Sequence, residues 1–136
     1  MVLGFKQKFP WGEPTYFREK ILAGVGYGPI VSLPKIHTIR AGNRWRAGDK
    51  IHMAYGVRTK NYEQFNKGIP ELAFVKSVQK IEMWWDRSLY ILIDGKYFED
   101  METLSINDGF NDVMDFQKWF NKKFTGQIIH WTNFRY

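Results

Sequence analysis

Apolar and polar positions along this chain change period several times, and each change marks an element. Val2 to Lys6 reads as a short strand, closed by the breaker Phe9-Pro10-Trp11-Gly12. Helix signals follow: Pro14 suits the first helical position, Glu13 or Thr15 the cap region, and Gly24 the stop. Phe17, Ile21 and Leu22 form the apolar stripe of that helix, with Arg18, Glu19 and Lys20 facing water. Gly24, Gly26, Gly28, Pro29 and Pro34 then make a loop, read as flexible or as a lid, with neither GxGxxG nor a Walker motif.

Strand period returns at Ile36, Thr38 and Arg40. Thr38 and Arg40 therefore share a face, and Lys35 joins them only if the strand begins after it, which Pro34 favours. Gly48-Asp49 turns into a strand in which Ile51, Met53 and Tyr55 alternate with His52 and Ala54. Arg58 to Gly68 reads as an exposed basic excursion. Leu72 to Trp85 is β-rich, as one bent strand or two, and Leu89 to Ile93 returns. Asp94-Gly95 signals a hairpin before Lys96-Tyr97-Phe98. Met101 to Ile106 reads as a helical turn, and Asn111 as the N-cap of a helix reaching about Phe124, with Val113, Phe116 and Phe120 inward. Gly126 is expected to stop it before a closing strand through Ile128, Ile129 and Trp131.

These elements predict an α+β, mostly β fold: a small, partly closed mixed β-barrel of five to seven strands flanked by one helix near each end. At 136 residues the expectation is one domain, 1–136. Composition alters the picture in two respects. The 18% aromatic content exceeds what a small core needs, so some rings are expected to act as stacking surfaces. A net charge of +6 points to an anionic partner, nucleic acid first.

The absence of cysteine excludes disulfides, thiolate catalysis and Cys-type zinc sites. No apolar run approaches the ~20 residues of a membrane span, and Met1 to Phe9 lacks a signal-peptide core. A cytoplasmic protein without membrane association is expected. His37, His52 and His130 show no metal-ligand spacing, so neither a metal nor a cofactor is expected. A lone strand histidine is more often a hydrogen-bonded structural group.

The densest chemistry is Lys35-x-x-Thr38-x-Arg40: a cation, a hydroxyl and a guanidinium within six residues. The plain alternative is an edge strand whose cations sit in water. For Arg40 the alternative is an internal pair with Asp49 or Asp108. A second cluster, Arg40, Arg44, Trp45, Arg46, Lys50, Arg58 and Lys60, combines cations with an aromatic side chain, as nucleic-acid binding requires. Trp45 lies between two arginines and is the tryptophan least like a core residue. Trp11 is a second candidate for stacking, and Tyr55 a further ligand contact.

Taken in order, a helix ending in Ile21-Leu22-Ala23-Gly24, then Lys35-x-x-Thr38-x-Arg40, then a Gly48-Asp49 turn resembles the ASCH domain of the PUA-like superfamily. Asn107-Asp108-Gly109-Phe110, followed by Phe116-x-x-Trp119-Phe120, resembles the later half of that family. The resemblance implies a PUA-like barrel with a cleft and a role in binding RNA or a nucleotide-like molecule. One branch of the family implies an amidohydrolase acting on N4-acetylcytidine through a Lys, a Thr and a Glu. Lys35 and Thr38 match the first two; the third falls near Asp108, an Asp in place of Glu. About ten residues between Gly24 and Lys35 also exceed the family's usual spacing.

Overall fold

The structure, a computed structural model, describes residues 1–28 and 33–136. The described residues form eight strands in two sheets and three α-helices, with strand the predominant element. β1 (Val2–Phe5), β3 (His52–Tyr55) and β4 (Glu63–Gln64) form a three-stranded sheet in the order β1-β3-β4, with β1 parallel to β3. β2 (His37–Ala41), β5 (Ser77–Asp86), β6 (Ser88–Ile93), β7 (Lys96–Tyr97) and β8 (Phe124–His130) form an antiparallel sheet in the order β2-β8-β5-β6-β7. Strand pairing among the described residues gives these two sheets and no closed ring. Pro29 to Ser32, part of the expected lid, lie outside the described residues. Among the described residues no helix is long and apolar enough to cross a membrane.

The hairpins follow from turn chemistry. Asp94 and Gly95 take φ of 51° and 80° between β6 and β7, both positive as a type I′ turn requires. Arg87, at φ 66°, makes the tight reversal between β5 and β6. The core runs through the inward positions Ile39, Ile81, Met83, Ile91, Ile93 and Ile128 of the larger sheet and continues into Leu3, Met53, Phe110 and Phe116.

Helix α1 (Phe17–Gly24) starts later than its proline suggests. Pro14 instead bridges to Lys8, and Thr15 ties the helix start to the end of β1. Its hydroxyl donates to the Lys6 carbonyl at 2.7 Å and accepts from the Phe17 N–H at 3.3 Å. Lys20 does not face water: it is buried with Phe17 and Ile21, because a stripe spaced i, i+3, i+4 includes it. Helix α2 (Met101–Asn107) is a full helix rather than a single turn, capped by the Asp100 side chain. Helix α3 (Val113–Trp119) is capped by Asp112, not Asn111, and ends before Phe120.

Gly126 does not stop a helix; it lies within β8, paired with Ala41 and Ile81. A Cβ there would sit 2.1 Å from the Arg40 carbonyl oxygen and 2.8 Å from a ring carbon of Phe124. The missing side chain is what lets β2 and β8 approach directly behind Arg40. Gly126→Ala is expected to cost about 3 kcal/mol, the upper end for forced overpacking, because the clashing atom is backbone. That is a fall in Tm of roughly 10 °C for a chain of this size. Thermal unfolding followed by circular dichroism checks it, and an unchanged Tm would contradict the close approach.

Candidate functional site

Lys35 precedes β2 in an irregular entry held by two backbone hydrogen bonds. Its N–H donates to the Lys20 carbonyl at 3.2 Å, and the Ile36 N–H donates to the Asn107 carbonyl at 2.9 Å. β2 thus begins at His37, after the lysine, and Lys35, Thr38 and Arg40 line one cavity. The Lys35 side chain is 2% exposed. Its ammonium donates to the Asp108 carbonyl and, at 3.2 Å, to Asp108 Oδ1. It also lies 4.9 Å from the centre of the Phe17 ring, a cation–π contact.

Asp108 is brought there by the turn after α2. Gly109 takes φ 95°, and a Cβ on it would lie 2.8 Å from Lys35 Cδ and 2.9 Å from Phe17. Glycine at this position lets the lysine stem pass. Lys20 clamps the same turn, donating to the Gly109 carbonyl at 2.8 Å and to Asn111 Oδ1 at 2.9 Å. Two buried lysines therefore hold two successive carbonyls, those of Asp108 and Gly109.

Behind the carboxylate stands a hydrogen-bonded chain. His37 Nδ1 lies 3.3 Å from Asp108 Oδ1, and His37 Nε2 lies 2.6 Å from the Tyr136 hydroxyl, which also accepts from Asn107 Nδ2 at 3.1 Å. Burial pushes the His37 imidazole below its usual range, so it is neutral. The carboxylate accepts only, so Nδ1 carries the proton and donates it, while Nε2 accepts from Tyr136. His37 is the hydrogen-bonded structural histidine expected of a lone strand position.

Thr38 and Arg40 share a face, as their spacing predicts, and Arg40 Nε donates to Thr38 Oγ1 at 3.2 Å. The guanidinium lies 4.8 Å from the Phe5 ring centre. Its two terminal nitrogens have no hydrogen-bond partner among the described residues, and neither Asp49 nor Asp108 forms an ion pair with it. Asp49 accepts from the Arg46 N–H instead, at 2.8 Å. Burial lowers Arg40 to about 10, which still leaves it charged at neutral pH.

Arg40, Lys35, Thr38 and Asp108 line a cavity of about 190 Å³, whose walls include Phe5, Phe17, Phe110 and Trp119. With Lys35 protonated, three cations, Lys6, Lys35 and Arg40, line the cavity with one carboxylate, a surplus of two positive charges. Burial is the main cause that brings Lys35 down to about 8; the Asp108 carboxylate opposes the fall and Arg40 adds to it. Among the described residues no cluster of His, Asp and Glu is arranged to hold a metal.

The second cluster divides. Trp45 is 1% exposed and belongs to the core. Its N–H donates to Gln127 Oε1 at 3.0 Å and its carbonyl accepts from Gln127 Nε2 at 2.9 Å, which fixes the ring inward while Arg44 and Arg46 remain exposed. The Arg44 guanidinium lies 5.4 Å from the centre of that ring. Tyr55 is buried too, its hydroxyl accepting from the Arg18 N–H at 2.9 Å, so it offers no stacking face. Trp11 stacks on Phe9 with centroids 4.8 Å apart and planes 2° apart, under Lys118, and does not line the cavity. Arg58 is exposed at φ 64° in the turn after β3.

Sequence reasoning missed Lys20, Asn107 and Tyr136 as supports and Phe5, Phe17 and Trp119 as walls. Asn107 is the first residue of a segment already singled out, Asn107-Asp108-Gly109-Phe110, but was given no role there. Tyr136 is 99 residues from His37 and carries no local signal.

Compared with known proteins, the chain matches no family model, no curated protein and no solved structure.

Lys35 titrates near 8 when folded and at the ordinary 10.5 when unfolded. Between those values the unfolded chain binds more protons, so stability rises with pH across the window. The cost of burying the ammonium is largest below about 8 and is gone above the unfolded value. Lys35→Met removes this contribution, and its unpaired Asp108 should lower stability by about 3–5 kcal/mol. Urea unfolding from pH 7.5 to 9.5 should show wild type gaining on the variant as pH rises; a constant difference would contradict the lowered value.

Proposed function

We propose that this chain is an ASCH-like module of the PUA-like superfamily, its two sheets an incompletely closed form of that barrel, and that it binds RNA or a nucleotide-like molecule in the Lys35–Thr38–Arg40–Asp108 cavity. The observation that carries this reading is the Arg40 guanidinium, whose terminal nitrogens are unpartnered among the described residues at a cavity walled by aromatic rings. A half-buried guanidinium left this way gains from a ligand that supplies acceptors.

Size and chemistry narrow the ligand. An apolar cavity of about 150 Å³ admits benzene. The space of about 190 Å³ therefore suits one substituted planar ring and is small for a drug-sized molecule. Arg40 donates in a fork, Thr38 offers a hydroxyl, and the second oxygen of Asp108 accepts no hydrogen bond among the described residues. A donor fork beside an acceptor complements a base edge on which an N–H stands next to ring acceptors, as on cytosine. The surplus positive charge favours a ligand that also carries phosphate.

A second reading, an amidohydrolase acting on a modified nucleoside such as N4-acetylcytidine, is favoured by Lys35. Near pH 8 half of it would be a neutral amine, able to take a proton from a water oriented by Thr38. The water oxygen would bond to the acyl carbon, the bond to N4 would break, and the released amine would recover the proton from Lys35. Below that pH the ammonium would act only as an oxyanion donor, so kcat/KM should rise with pH up to about 8. Asp108 is already engaged by Lys35 and His37, and orients the lysine in this scheme.

Calorimetric titration with cytidine 5′-monophosphate and acetate release from N4-acetylcytidine separate the readings. The binding module predicts saturable binding that Arg40→Lys weakens roughly tenfold, since a lysine cannot reproduce the fork. The enzyme reading predicts acetate release that Lys35→Ala abolishes while the fold persists. Absence of both binding and turnover in folded wild type would remove the cavity as a nucleotide site.

A further inference from the structure

A second cavity shares a wall with the inner one. Gly4, Phe5 and Lys6 line both, and the outer cavity, about 590 Å³, continues over Gln7 and Lys8 to Gly56, Val57 and Thr59. Its lining holds two cations, Lys6 and Lys8, and no acidic residue. Both lysines are exposed, and neither forms an ion pair among the described residues.

The segment carrying them is fixed. Thr15 donates through its hydroxyl to the Lys6 carbonyl at 2.7 Å and through its N–H to the Gln7 carbonyl at 2.9 Å. Lys8 forms a β-bridge with Pro14. Lys6 and Lys8 flank a bend at Gln7, so two exposed cations stand within three residues of one another beside the wall shared with the inner cavity. Arg58 is exposed between the lining residues Val57 and Thr59.

We infer that the outer cavity is a phosphate-binding groove and that the ligand is a single-stranded oligonucleotide: one base enters the inner cavity, and the adjoining backbone runs over Lys6 and Lys8. This rests on the proposed nucleotide reading of the inner cavity and adds the class of ligand. A free nucleoside reaches none of the outer groove. A strand with phosphates beside the inserted base uses all of it, which places the Lys6 and Lys8 ammoniums opposite its anions. It also gives a role to two cations that have no carboxylate partner among the described residues, in a groove that shares a wall with a pocket of one-base size.

The test compares cytidine, cytidine triphosphate and a cytidine-centred ribotrinucleotide on wild type and on Lys8→Glu, a substitution on the exposed side of the groove. The trinucleotide should bind wild type at least tenfold more tightly than cytidine. Its log affinity should fall with log salt at a slope near −1.4, for two phosphates at ~0.7 each. Lys8→Glu should weaken the trinucleotide roughly tenfold, as loss of a charge-assisted contact would, and leave cytidine unchanged. Trinucleotide affinity equal to that of cytidine overturns the groove while leaving the inner cavity intact. Trinucleotide binding that depends on Lys8, with no detectable cytidine binding, supports the groove and removes the one-base reading of the cavity. A triphosphate that equals the trinucleotide in affinity and in its response to Lys8→Glu overturns the oligonucleotide assignment in favour of a free nucleotide.

Discussion

Burial of the Lys35 ammonium against Asp108 is the constraint to which the rest of the site is fitted. An ammonium taken out of water costs several kcal/mol unless its protons find partners. The chain supplies two of these from one residue, the Asp108 carbonyl and carboxylate, and adds the Phe17 ring. That solution fixes the turn after α2, and with it the need for Gly109, whose missing side chain leaves room for the lysine stem. It also explains Lys20, whose ammonium secures the next carbonyl in the same turn from the buried face of α1.

The same pair determines what the cavity offers. Lys35 and His37 both engage Oδ1 of Asp108, which turns the carboxylate and leaves its second oxygen without a hydrogen bond among the described residues. Arg40, one strand residue beyond Ile39, then has no carboxylate partner among the described residues. Its partners within the fold are a hydroxyl and an aromatic face, both weaker for a guanidinium than a bidentate carboxylate. A structure optimised only for stability would pair this cation. Leaving it at the cavity is how functional sites depart from local rules.

Much of this arrangement was legible in the residues. Period two put Thr38 and Arg40 on one face, and Pro34 allowed Lys35 an irregular entry; β2 begins at His37 as that argument requires. Asn107-Asp108-Gly109-Phe110 was identified as a unit, and the fold uses all four residues. What failed did so for physical reasons. Trp45 looked exposed because arginines flank it, yet neighbours on a chain outside regular strands can point opposite ways, and Gln127 from a distant strand fixes its backbone. Lys20 looked solvated because lysines usually are, and its partners lie 89 and 91 residues away. Gly126 looked like a helix stop because close strand approach leaves no local signature. The strand content and the flanking helices followed from periodicity; the division into two sheets depends on long-range pairing that periodicity does not encode.

The most direct measurement is a nuclear magnetic resonance titration of ¹⁵N-labelled protein with cytidine 5′-monophosphate, observing backbone amides, the Arg40 Nε–H and the tryptophan indoles. The account predicts that the largest shifts fall on Thr38, Arg40, Gly109 and Trp119, with little change at Arg44 and Arg46. Shifts concentrated at Arg44 and Arg46, with Arg40 unmoved, would contradict the assignment of ligand binding to the cavity built around Lys35 and Asp108.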